Sequence, residues 1–136
     1  MPVPPRLRGI DHVHVFVADR AAAETWYGRV LGLRRIERLA FWAAGGGPLT
    51  LADTSDTVHL ALFESPARPC RSTVALGVGA EELLAWQEHL RGCLGVEPRL
   101  DDHGVSWSIY FTDPDGNPFE ITTNAHAAFA QLSGRH

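Results

Sequence analysis

His12, His59 and Glu120 are the residues of this 136-residue chain whose types and placement suit a divalent metal. His103 and Tyr110, on the stretch that leads to Glu120, are the other residues whose chemistry bears on function. Glu120 stands between Phe119 and Ile121, so on an extended strand its carboxylate points away from the face those two bury. The preceding stretch, Ser106 to Thr112, alternates Ser/Ser/Tyr/Thr with Trp/Ile/Phe, the period of a half-buried strand. Asp113-Pro114-Asp115-Gly116-Asn117 supplies the fixed φ of proline and the permissive φ of glycine for a turn between the two. Glu120 therefore lies beside the polar face that carries Tyr110. That is a place for a metal ligand or a general base.

The elements that position these groups fall into two runs. Ile10–Ala18 reads as a strand, with Val13, Val15 and Val17 on one face and Ile10, His12, His14 and Phe16 on the other. Asp19 caps a helix over Arg20–Leu31 with Gly32 as its stop. Arg34–Trp42 and Pro48–Ala52 are expected strands joined by Gly45-Gly46-Gly47, and Thr57–Glu64 is another. After a linker over Ser65–Arg71 the pattern restarts. Ser72–Gly79 is a strand, Glu81–Arg91 a helix ended by Gly92, and Val96–Asp101, Val105–Thr112 and Pro118–Thr123 are strands.

The restart is a repeat. An offset of 61 maps Val13, Val15 and Val17 onto Val74, Leu76 and Val78, and Val58 and Leu60 onto Phe119 and Ile121. The same offset maps His12 onto Thr73 and His59 onto Glu120. The expected fold is α+β: two paired βαβββ modules, about 8–64 and 72–124 of a single domain, forming a cup-shaped mixed sheet with helices outside. His12, His59, Thr73 and Glu120 would line the cup. Two imidazoles and one carboxylate make the facial triad favoured by Fe(II) and related ions.

Composition narrows the function. Hydrophobic residues are 45% and charged residues 21% of the chain, ordinary for a globular protein with a real core. A net charge of -4, with no basic cluster, argues against nucleic acid. No apolar run approaches membrane-spanning length, so no membrane partner is expected. Cys70 and Cys93 have no metal or redox spacing and fit free thiols in a reducing cytoplasm. His14 shares the face of His12 and is expected to steady a ligand or touch substrate rather than bind the metal itself. His89, His126 and His136 carry no argument, and Trp26, Tyr27 and Trp86 at helical spacing read as core.

The chain resembles the vicinal oxygen chelate superfamily of glyoxalases, bleomycin-resistance proteins, fosfomycin-resistance enzymes and type I extradiol dioxygenases. The carriers are Ile10-Asp11-His12-Val13, Val17-Ala18-Asp19, Trp26-Tyr27, Val30-Leu31-Gly32-Leu33 and the stretch Tyr110–Glu120. The resemblance implies a divalent metal, Fe2+ before Mn2+, Ni2+ or Zn2+, held by His12, His59 and Glu120. It also implies a small-molecule substrate and a homodimer. Thr73 departs from the pattern, since many members carry His there and threonine binds such metals poorly. His103, Tyr110, Asp113-Pro114, Gly116 and Glu120 resemble the extradiol branch, which makes His103 the acid/base and Tyr110 the orienting phenol. Extradiol ring cleavage is the favoured expectation, a glyoxalase-like lyase or isomerase the next. A metal-free binding protein of the bleomycin-resistance kind is the alternative that Thr73 and the aromatics of the cup support.

Overall fold

A computed structural model describes residues 3–66 and 70–135. Positions 67–69 of the expected linker lie outside the described residues, as do Met1, Pro2 and His136. The first module consists of β1 (Val13–Val17), α1 (Arg20–Val30), β2 (Arg34–Arg35), a 3-10 turn (Glu37–Leu39), α2 (Phe41–Ala44), β3 (Leu49–Ala52) and β4 (His59–Glu64). The second consists of β5 (Val74–Gly77), α3 (Ala80–Leu94), β6 (Arg99–Asp102), β7 (Trp107–Thr112) and β8 (Pro118–Thr123), followed by α4 (His126–Ser133). The α+β arrangement of two like modules is as the repeat predicts.

Each module forms a four-stranded mixed sheet, in the orders β1-β4-β3-β2 and β5-β8-β7-β6. The outer strand β1 pairs parallel with β4, and β5 with β8, while the remaining neighbours are antiparallel. One face of each sheet carries Val15, Val17, Leu60, Leu62, Ile109, Phe119 and Ile121 into a core shared with Tyr27, Val30, Leu83 and Leu90 of the helices. The opposite faces stay open and carry the candidate site residues. The edge strands β1 and β5 lie near one another, with His14, Ser72, Val74 and Pro118 lining a crevice between them. The two sheets thus form an open cup with helices outside.

Tyr27 and Asn117 join the modules. The buried Tyr27 hydroxyl donates to Asp113 at 2.6 Å, and Asn117 Nδ2 donates to the Phe16 carbonyl at 3.0 Å. Asp113 also accepts the backbone amides of Asp115 and Asn117, so the Asp-Pro-Asp-Gly-Asn turn is both hairpin and module joint. Asp19 caps α1 through the Ala22 amide at 3.0 Å, as expected.

Four expectations need correction. Arg34–Trp42 is not a strand: β2 covers two residues, and Glu37–Leu39 and Phe41–Ala44 are helical turns. Ile36, Leu39 and Trp42 then fall over the open face of β3 and β4, where Thr50 and Ala61 are buried. Gly92 does not end α3, which runs on to Leu94; Gly95, at φ +72°, supplies the left-handed stop. Ile10 is not in a strand and is 85% exposed, β1 starting at Val13. Finally, Val13 pairs with Leu60 whereas Val74 pairs with Phe119, so the offset is 61 in the opening strands but 59 in the closing ones. Ala61, not His59, is the structural counterpart of Glu120.

Candidate functional site

On the first sheet, His12 directly precedes β1 and His14 lies within it, and their rings share the open face with His59, Ala61 and Phe63 of β4. Asp11 accepts a hydrogen bond from His12 Nδ1 at 2.8 Å. A carboxylate can only accept, so Nδ1 carries the proton and Nε2 of the neutral ring is left with its lone pair. That hydrogen bond also holds the Asp11 carboxyl below its ordinary range. His14 lies against His12, Nε2 to Nε2 at 3.1 Å with the rings stacked, and Phe63 backs His14 at 4.7 Å between centroids.

His59 is held differently. Its Nδ1 donates to the Asp11 carbonyl at 3.1 Å and its Nε2 to Asp56 at 2.7 Å. Both partners are pure acceptors, so this is the arrangement of an imidazolium, and the hydrogen bond to Asp56 raises its pKa against the opposing effect of burial. Neither nitrogen offers a lone pair while those bonds persist. His12 and His59 line a cavity of about 420 Å³ together with Arg38, Trp42, Thr50 and Asp56.

On the second sheet, Ala75, Glu120, Tyr110 and Arg99 are neighbours in a row across four strands, the last three of them polar. Ser108 donates to Glu120 Oε2 at 2.7 Å and sits 2.9 Å from the Thr122 hydroxyl. The Arg99 guanidinium lies 4.5 Å over the Tyr110 ring, while its charge is paired with Asp101. His103 Nε2 lies 2.9 Å from the Tyr110 hydroxyl, brought there by the turn in which Asp102 accepts the Gly104 amide. Thr73, just before β5, is exposed.

The structure therefore brings His12 to His14 and His59, and His103 to Tyr110. Among the described residues it brings no three His, Cys, Asp or Glu side chains together as a metal requires, so Glu120 does not complete a three-ligand cluster with the histidines of the first sheet. Sequence reasoning missed Asp11, Asp56 and Ser108 as the groups that orient the site. The signals were present: an acidic residue directly before His12, and a serine two residues before Tyr110 on the same face.

The family model for the Glyoxalase/Bleomycin resistance protein/Dioxygenase superfamily matches residues 9–121. The chain belongs to this superfamily. The metallothiol transferase FosB of Bacillus licheniformis is 27% identical over 126 residues, an alignment covering 88% of this chain and 78% of that protein. A glyoxalase/dioxygenase from Nostoc punctiforme shares the fold at a TM-score of 0.67 and 22% identity, over 91% of this chain and 96% of its own. So does the fosfomycin resistance protein FosX of Listeria monocytogenes, solved with Mn(II) and sulfate. Its TM-score is 0.64 at 18% identity, over 94% of this chain and 99% of its own. No helix among the described residues is long and apolar enough to cross a membrane.

Proposed function

We propose that this superfamily member is a divalent-metal-dependent enzyme that transfers a thiol to a small, oxygen-rich electrophile. The observation that carries the metal reading is the Asp11–His12 hydrogen bond, which holds the ring proton on Nδ1 and leaves Nε2, 3.1 Å from His14 Nε2, as the nitrogen that would face a metal. Glu120 is the matching carboxylate, with Ser108 holding one oxygen. A nitrogen and oxygen donor set of this kind fits a first-row divalent ion; the Mn(II) of the FosX structure is one such ion, and nothing in this chain singles out Fe2+. Because no three such ligands converge among the described residues of one chain, the reading calls for a homodimer in which the first sheet of one copy faces the second sheet of the other.

His12 and Glu120 would hold a divalent ion, which would supply Lewis-acid polarisation of a substrate oxygen. The chain's own residues do the rest. Arg38, and His59 whose charged form is favoured by Asp56, line the cavity beside the carboxylates of Asp11 and Asp56 and offer hydrogen-bond donors to an oxygen-rich substrate. Thiol transfer forms a carbon–sulfur bond and breaks a carbon–oxygen bond, the proton lost by the thiol ending on the released oxygen. The likeness to the metallothiol transferase supports that chemistry over ring cleavage.

The contact of His103 with Tyr110 supports extradiol cleavage as a second reading, with His103 as acid/base and Tyr110 orienting a catecholate. The test is turnover of Mn(II)- and Fe(II)-loaded protein with fosfomycin plus a low-molecular-weight thiol, and with a catechol under oxygen. Metal-dependent thiol consumption supports the first reading and ring cleavage the second. Tight, metal-independent binding of either compound without turnover would leave the metal-free binding protein in their place.

A further inference from the structure

Glu120 and His12 supply one carboxylate and one imidazole, and a third ligand is wanted. Thr73 is a poor candidate, and both nitrogens of His59 face acceptors. His14 is the remaining imidazole on that face. We propose that His14 is the second histidine ligand, so that His12 and His14 grip the metal as a pair from a single strand edge, in place of a ligand at position 73.

The geometry of the pair is that of two cis ligands. Two nitrogens 3.1 Å apart, each roughly 2.1 Å from one ion, subtend about 95° at it, close to the right angle between neighbouring octahedral ligands. Residues two apart on an extended strand put both rings on one face, and no chain movement is needed. Asp11 holds the proton of His12 on Nδ1, so in the neutral, metal-free pair His14 Nε2–H donates to the His12 Nε2 lone pair. Binding then requires only that His14 move its proton from Nε2 to Nδ1. Phe63 packs against the His14 ring and limits its swing. With Glu120 from a second copy, the set becomes two histidines and one carboxylate, which leaves positions open for substrate oxygens.

This inference rests on His12 being a ligand, and the experiment separates the two claims. Zn(II) is titrated into wild type and into the His12→Ala, His14→Ala and Thr73→Ala variants. Affinity is followed by competition with a chromogenic chelator, and ring-nitrogen shifts by long-range proton–nitrogen correlation. The inference predicts one tight site in wild type, a loss of 30-fold or more in both histidine variants, and no change in Thr73→Ala. It also predicts that the His14 proton passes from Nε2 to Nδ1 on adding Zn(II). Since His14 is exposed, folding of the variants is verified by their thermal transitions. Loss in His12→Ala with wild-type affinity in His14→Ala would overturn the role of His14 and leave the metal reading standing. No Zn(II) binding in wild type would overturn both.

Discussion

The Tyr27 hydroxyl reaches across the molecule to Asp113 at 2.6 Å and links the first helix of one module to the closing hairpin of the other. Tyr27 is fully buried and Asp113 nearly so. Burial, reinforced by the neighbouring carboxylate, pushes the phenol far above its ordinary pKa, so it stays a donor throughout the working range. Tyr27→Phe removes one donor from a buried carboxylate that keeps its bonds to Asn117. The expected cost is about 1.5–3 kcal/mol in chemical denaturation, with an unchanged dependence on denaturant concentration.

Asp53 provides an acid-sensitive stabilisation. Burial opposes its charge, but hydrogen bonds accepted from Ser55, Thr57 and the Val58 amide outweigh that and hold its pKa well below the ordinary carboxylate value. A depressed native pKa means stability that is present above the unfolded-state value near 3.8 and is lost as pH falls through the native one. Asp53→Asn should therefore lower the melting temperature at pH 7 and narrow its gap to wild type as pH falls toward 3. A gap that widens on acidification would contradict this.

Gly47 closes the turn between α2 and β3, and a Cβ there would meet the Trp42 carbonyl at 2.9 Å. Gly47→Ala must displace the short helix that carries Trp42 over the cavity beside His12 and His59. Expected are a stability loss of about 1–3 kcal/mol and altered Trp fluorescence in the folded state, whereas Gly46→Asn, at a left-handed φ, should be tolerated.

His103 separates the two chemistries. If ring cleavage is the reaction, His103→Gln should lower kcat by about 100-fold or more, the scale of a lost acid/base. If thiol transfer is the reaction, the same change should leave turnover within about threefold, since His103 contacts Tyr110 whereas the Glu120 carboxylate is held by Ser108.

The repeat and its polar faces were legible because β1, β7 and β8 alternate cleanly and Asp113–Asn117 is strong turn chemistry. The register was not. Only the pairing of Val13 with Leu60 shows that Ala61 takes the place matching Glu120, since an offset of two residues keeps the same face and leaves the alternation intact. Arg34–Trp42 was misread because its apolar residues suit either a strand or short helical turns, and tertiary packing over Thr50 decided the matter. Helix α4 escaped notice although Phe129 is fully buried and Trp107 packs against it, because the segment has no side-chain cap at Ala125. The pairing of His12 with His14 depends on ring orientation, which spacing alone does not convey.

The central claim is that His12 and Glu120 hold one divalent ion between two copies of the chain. The most direct measurement is the metal content of protein purified without a metal-affinity tag, equilibrated with Mn(II) and freed of unbound ion. The account predicts about one equivalent per chain in wild type, and loss of that metal in both His12→Ala and Glu120→Gln. Metal retained by either variant, or none held by wild type, would contradict it.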